Sequence, residues 1–329
     1  MKALVYTDVE TLTYRDAPDP EPGAGEALIR VESVGICGSD MHAWLGHDNR
    51  RPAPLILGHE AAGTVVGGPR DGARVTINPL VTCGGCPACT SGRENLCPER
   101  QIISMPPREG AFADLLRMPE RNLIAVPDGV PLAKAALAEP LAVSWHAVRL
   151  GLAALHPSAE RRALILGGGA IGLAAALALR AMGVDEVTVV EPNNARRAYL
   201  TERCGLRAVP AAEGAHPIVV DAVGFAVTRA TASALAEPGG VIVHIGLGED
   251  AGGLDLRRMT LQEITFIGTY TYTAQDFRDT AAALFDGRLG PLDWTEIRPL
   301  SDGAAAFRDI RSGQSAAPKI ILQPDNQGV

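Results

Sequence analysis

The sequence predicts an α/β protein in two parts, a mostly-β domain followed by a doubly wound parallel-sheet domain. Three observations carry this. From about residue 161, short apolar runs at 163–166, 186–190, 217–221, 241–245 and 264–268 alternate with helical patterns at 170–182, 194–204 and 226–236, the rhythm of a parallel sheet. The hexapeptide GGGAIG at 167–172 joins the first of those strands to the first of those helices. Before about residue 140 the chain is rich in Gly and Pro, with short apolar runs such as 27–31 and 63–66, which read as strands joined by turns.

Bulk properties bound the possibilities. The 329 residues suffice for two domains with substantial cores. Hydrophobic residues make up 47% and charged residues 21%, the balance of a globular chain, and the net charge is -8. No basic run is present, so nucleic acid is not an expected partner. The N-terminal run MKALVYTDVETLTYRD lacks the apolar stretch of a secretory signal. The most apolar stretch, 163–179, is interrupted by Gly167, Gly168, Gly169 and Gly172 and fits a strand, turn and buried helix better than a membrane span. Metal ligation accounts for five of the six cysteines, leaving Cys204 as a small buried hydrophobe, so a reducing cytoplasm is expected.

The glycine turn carries the first chemistry. Gly167, Gly169 and Gly172 fit G-x-G-x-x-G in the strand–turn–helix context the motif requires. Gly167 would make the tight turn, Gly169 would let the backbone approach a pyrophosphate, and Gly172 would let helix and strand pack closely. With Ala170 and Ile171 they would set phosphates on a helix N-terminus, where free N–H groups favour an anion. Glu191 lies 19 positions after Gly172, at the end of the second strand. A carboxylate there accepts bonds from ribose hydroxyls and repels a 2′-phosphate, which favours NAD. Arg196 and Arg197 stand nearby and keep NADP open, although they also fit a solvated helix face.

Two metal sites are expected. Cys83, Cys86, Cys89 and Cys97 crowd into fifteen residues as C-x2-C-x2-C-x7-C, a spacing that suits four thiolates around one zinc. Such a closed site orders a loop and performs no chemistry; iron is the alternative metal. The second site draws on distant segments: Cys37 in GICGSDMH, His59 and Glu60 in GHE, and Glu139 in AEPLAV. Cys, His and a carboxylate make a three-ligand zinc site that leaves room for water or substrate.

The segments CGSDMH, LGHEAAG, the cysteine loop, AEPLAV, LGGGAIG and GTYTYTAQDF occur in an order similar to that of the zinc-containing medium-chain alcohol dehydrogenases, in the branch of polyol and threonine dehydrogenases. The resemblance spans nearly the whole chain. It implies a GroES-like catalytic domain over 1–142, completed by 276–329, and a Rossmann domain over 143–275. It further implies one catalytic zinc held by Cys37 and His59, with Glu139 as third ligand directly or through water and Glu60 behind the ion. Asp40 would orient the His59 ring, Ser39 would accept the alcohol proton, and His42 would release it to solvent. A second, structural zinc, a homodimer or homotetramer joined near 264–268, and an alcohol or polyol substrate without nucleic-acid or membrane partners complete the implied picture. Thr271 stands where many sorbitol-type relatives carry arginine, and the segment 63–75 is shorter than usual.

The expected reaction follows. Bound zinc lowers the pKa of an alcohol oxygen, and hydride passes to C4 of the nicotinamide. Trp44, Phe112 and Tyr270 are candidate pocket walls, although each also reads as an ordinary core or surface aromatic, and Arg50-Arg51 either meets a substrate phosphate or carboxylate or forms a solvated loop. His146 and His244 read as structural. NADP-linked ketone reduction on the same fold, or a zinc-stabilised binding protein without catalysis, remain the alternatives.

Overall fold

The computed structural model describes residues 1–325; the expected completing segment 276–329 is therefore described as far as Asp325, and 326–329 lie outside the described residues. Residues 162–268 form a six-stranded parallel sheet. Its spatial order is Arg207–Val209, Glu186–Val190, Arg162–Leu166, His216–Asp221, Ala236–His244, Thr265–Gly268. The winding direction reverses at Arg162–Leu166, the strand that leads into GGGAIG, so the glycine turn opens at the switch point where an open α/β sheet binds ligands. Its strands read as near-continuous Val and Ile runs because helices cover both faces.

The first part is antiparallel apart from one parallel pair, Thr295–Pro299 with Lys319–Gln323. A seven-stranded sheet runs in the order Leu123–Ala125, Arg74–Ile77, Glu60–Val66, Glu26–Gly35, Lys319–Gln323, Thr295–Pro299, with Leu115–Pro119 also paired to Glu26–Gly35. The return of the C-terminal tail is made by its strands: Ile321 pairs Gly35, 286 positions upstream. The preceding helix Ala274–Phe285 packs instead against the helix Ala138–Ala154. Its entry is fixed by a capping box in which Thr273 Oγ1 accepts from the Asp276 amide and the Asp276 carboxylate accepts from the Thr273 amide.

Two large hydrophobic cores result, with smaller clusters around Leu164, Val219 and Ile242 and around Val126 and Leu132. Leu4, Ile29, Leu57, Ile77, Phe112, Phe307 and Leu322 fill the first. Leu141, Trp145, Ile165, Leu173, Val189, Val243 and Phe277 fill the second. The 17-residue helix Ala138–Ala154 crosses position 142/143 and belongs to the second core through Leu141, Trp145 and Val148, while its first turn presents Glu139 toward the first part. Trp44 and Phe112, considered above as pocket walls, are core residues: both pack edge-on against Phe307, at 5.7 and 6.0 Å between ring centroids. No described helix is long and apolar enough to cross a membrane.

Candidate active site and metal centres

Strand register builds the first cluster. Gly35 pairs Glu60 on one side and Ile321 on the other. Cys37, just past the end of its strand, and His59, just before the start of the next, therefore lie side by side, and Lys319 lies beside Glu60. Ligand atoms of Cys37, His59 and Glu60 all fall within 4.8 Å of one another. A Cβ on Gly35 would lie 2.0 Å from Glu60 Oε2, so only glycine leaves space for this carboxylate.

Asp40 organises the group. Fully buried, it accepts from the Cys37 amide at 3.0 Å and the Gly58 amide at 3.1 Å, joining both ligand-bearing segments. Its Oδ1 stands 3.4 Å from His59 Nδ1, and Ser104 Oγ stands 3.3 Å from the same nitrogen. With Nδ1 so engaged, Nε2 is the nitrogen left for a metal. Ser39 Oγ lies 3.5 Å from Nε2, beside the position an ion would take. Burial pulls the His59 pKa down, but Asp40 and Cys37 push harder and hold it well above its ordinary value.

Glu60 is fully buried and carries opposite duties on its two oxygens. Oε1 accepts from Lys319 Nζ at 2.6 Å; Oε2 has no hydrogen-bond partner. An orphaned carboxylate oxygen beside a thiol and an imidazole costs free energy unless a cation meets it, so the donor set fits a divalent ion. Glu139 is not among the three mutually close ligand residues. Its Oε1 accepts from the Tyr272 hydroxyl at 2.9 Å, and burial, with Glu60 nearby, raises its pKa to about 7 against the opposing pull of His59, Tyr272 and Lys319. His42 sits exposed at the end of the helix Gly38–Trp44, edge-on to His47. Lys319, Tyr272 and Ser104 were not singled out above; a lysine opening the apolar strand KIILQ was the one local signal for any of them.

The four-cysteine group also closes. Cys83, Cys86, Cys89 and Cys97 place their sulfurs within 4.8 Å of one another, with Cys83–Cys89 at 3.9 Å and Cys83–Cys97 at 3.6 Å. Four thiolates at about 2.3 Å from one zinc have tetrahedral edges of about 3.8 Å, so these are metal-site distances and not disulfide distances. Amides of Gly85 and Cys86 bring the Cys83 thiol down to about 7, toward the thiolate a metal needs.

At the sheet, Gly167 adopts φ +98°, and a Cβ on Gly172 would lie 1.8 Å from the Gly167 carbonyl oxygen. Around Gly169 a Cβ would meet nothing within 4 Å, the open approach a phosphate requires. Ala170 and Ile171 begin the helix Ala170–Ala181. Glu191 is buried and accepts from the Gly168 amide at 3.1 Å, the Asn193 amide at 2.8 Å and Arg196 at 3.3 Å. Arg197 donates to the Glu191 and Pro192 carbonyls. Both arginines are thus turned onto the end of the second strand.

Comparison with known proteins agrees with this geometry. Residues 23–128 match the model of the alcohol dehydrogenase GroES-like domain, and residues 170–286 match that of zinc-binding dehydrogenases. The L-galactonate-5-dehydrogenase of Escherichia coli K12 is 33% identical over 342 residues, covering 98% of each chain. The chain belongs to the zinc-binding alcohol dehydrogenase family. This dehydrogenase is also 32% identical to the 2-dehydro-3-deoxy-L-galactonate 5-dehydrogenase of Pseudoalteromonas atlantica, over 92% of each chain. Among solved structures, an Escherichia coli oxidoreductase of unknown specificity superposes with a TM-score of 0.90 at 29% identity, covering 99% of each chain. The two-part architecture is that of the family, and so is the reaction class, hydride transfer between a secondary alcohol and a nicotinamide cofactor.

Proposed function

We propose that this dehydrogenase oxidises a polyol or related secondary alcohol with NAD, using one catalytic and one structural zinc per chain. The observation that carries the reading is the convergence of Cys37, His59 and Glu60, with one Glu60 oxygen left unpartnered. Cys37 and His59 supply two of the protein ligands. Glu60 supplies the third, and Glu139, held by Tyr272, stands ready to receive a water or to exchange with it. A zinc ion here supplies Lewis acidity toward an alcohol oxygen, and NAD supplies the hydride acceptor. Ser39 takes the alcohol proton, being next to His59 Nε2, and exposed His42 passes it to solvent. Asp40 keeps the imidazole in one tautomer and fixes the two ligand segments relative to each other. Cys83, Cys86, Cys89 and Cys97 bind the structural ion.

NAD is favoured over NADP because Glu191 is buried at the strand end, and Arg196, the cation able to meet a 2′-phosphate, is already paired with it. All six thiols are free, in keeping with a cytoplasmic location. The strand Thr265–Gly268 ends the sheet, and its outer edge suits pairing across a two-fold axis in a homodimer or homotetramer.

Absorbance of NADH, followed with a polyol panel, NAD or NADP, and zinc-loaded enzyme, tests the reading. Turnover with NAD that disappears in Cys37→Ala is expected. Equal turnover in that variant would overturn the metal assignment, and a strong NADP preference would overturn the role of Glu191.

A further inference from the structure

A group of cations near the catalytic cluster has no part in the chemistry above. Arg100, three residues past the last structural cysteine, donates Nη1 to the Cys97 carbonyl at 2.9 Å and Nε to the Tyr270 hydroxyl at 3.3 Å, and its guanidinium stacks over the Tyr270 ring at 4.8 Å. Its described bonds go to a carbonyl and a phenol; no carboxylate faces it among the described residues. Arg50, an exposed residue, precedes Arg51, whose Nε reaches the carbonyl of Ser104, four residues past Arg100. Buried Arg51 and Arg50 both bond to the carboxylate of Asp48. Arg50 and Arg51 thus share one carboxylate while Arg100 bonds to none among the described residues, in a chain whose net charge is -8.

This group borders the reaction centre from two sides. Arg51 Nε donates to the Ser104 carbonyl at 3.0 Å, and Ser104 Oγ reaches His59. Tyr270 stands two residues before Tyr272, whose hydroxyl holds Glu139. The cysteine loop keeps the arrangement in register, because Asn95 Nδ2 also donates to the Tyr270 carbonyl at 2.9 Å. A solvated loop accounts for the Arg50–Asp48 fork. It does not account for Arg100, which stacks on Tyr270 with no carboxylate partner among the described residues.

Resting on the dehydrogenase reading above, we infer that Arg100 and Arg50 form an anion subsite that binds the terminal carboxylate or phosphate of a polyhydroxy substrate while its secondary alcohol lies at the metal. Guanidinium forks match both anions in shape and charge. The preferred substrate is therefore an acidic polyol, an aldonate or a polyol phosphate, and not the neutral polyol of the same chain length.

The zinc-loaded enzyme is assayed with NAD against three series: neutral hexitols, the corresponding hexonates and hexitol phosphates, at low and raised salt. The ratio of kcat/KM for the better anionic series to that for the neutral series should be about ten to a hundred, as expected for one or two charge-assisted hydrogen bonds. The ratio should fall with added salt and fall roughly tenfold or more in Arg100→Gln and in Arg50→Gln. Whether hexonates or phosphates lead identifies the anion. A wild-type ratio near one, or a ratio unmoved in both variants, overturns the subsite while leaving the dehydrogenase reading intact. Absence of turnover in all three series, with no difference between wild type and Cys37→Ala, would instead overturn that reading and the subsite with it.

Discussion

Replacing Lys319 with methionine should destabilise the enzyme without its catalytic ion far more than the ion-loaded enzyme. Lys319 is 4% exposed and Glu60 0%, with Nζ 2.6 Å from Oε1 and 2.9 Å from the Ile36 carbonyl oxygen. Burial lowers the ammonium pKa, yet Glu60 and Cys37 raise it further, so the lysine stays charged. Without it, Glu60 becomes a buried carboxylate with neither oxygen satisfied, a loss of about 3–5 kcal/mol. With a divalent ion beside Glu60 the carboxylate keeps a counter-charge, and the remaining cost, mainly the stranded Ile36 carbonyl, is about 1–2 kcal/mol. The difference, about 2–3 kcal/mol, must appear as tighter metal binding, on the order of thirty- to a hundred-and-fiftyfold. Urea denaturation of protein holding one or two zinc ions per chain, together with chelator competition, measures both sides of this cycle. Equal losses in the two forms, or weaker zinc binding by the variant, would refute the placement of Glu60 between lysine and metal.

Three other outcomes follow from the same geometry. Gly35→Ala puts a methyl where Glu60 Oε2 lies 2.0 Å away, so chelators should strip the catalytic ion faster and turnover should fall by tenfold or more, measured as zinc retention and NADH formation. Asp276, buried, has its pKa depressed: burial opposes this, but His146, Arg149 and Thr273 outweigh it. Its contribution is therefore complete above the ordinary carboxylate pKa of about 4 and is lost as acid titrates the folded protein below that. Asp276→Asn should cost about 2–3 kcal/mol at neutral pH in urea titrations and progressively less below about pH 4. Cys97→Ser should lower the thermal midpoint and release one zinc while the correctly folded fraction keeps much of its kcat; a well-folded, fully zinc-loaded but inactive variant would contradict a purely structural role for that site.

What could be read from the sequence was local or spaced by rule. The strand–helix alternation from 162 to 268 survives in the sheet with small shifts at the ends, because buried parallel strands are written as runs of Val and Ile. The three-residue strand Arg207–Val209 escaped notice, being too short to carry a pattern. The helix Ala138–Ala154 was missed for the opposite reason. It is apolar on nearly every side, since it packs against both Ala170–Ala181 and Ala274–Phe285, and Pro140 in its first turn looks like a breaker although that position tolerates proline. The cysteine cluster was legible because all its ligands sit in one loop. Lys319 was not, because its partner lies 259 positions away and only the pairing of Ile321 with Gly35 brings them together. Trp44 and Phe112 could be read as core or as pocket wall for a like reason: Phe307, which packs on both, arrives with the C-terminal tail.

The claim beneath the whole account is that strand register gathers a thiolate, an imidazole and a carboxylate around one chemically active ion. Zinc content and NADH formation, measured on the same samples of wild type and Cys37→Ser, address it most directly. The account predicts two zinc ions per chain and NADH formation in the wild type, against one ion and no NADH in the variant; a variant that keeps both ions and its rate would contradict it.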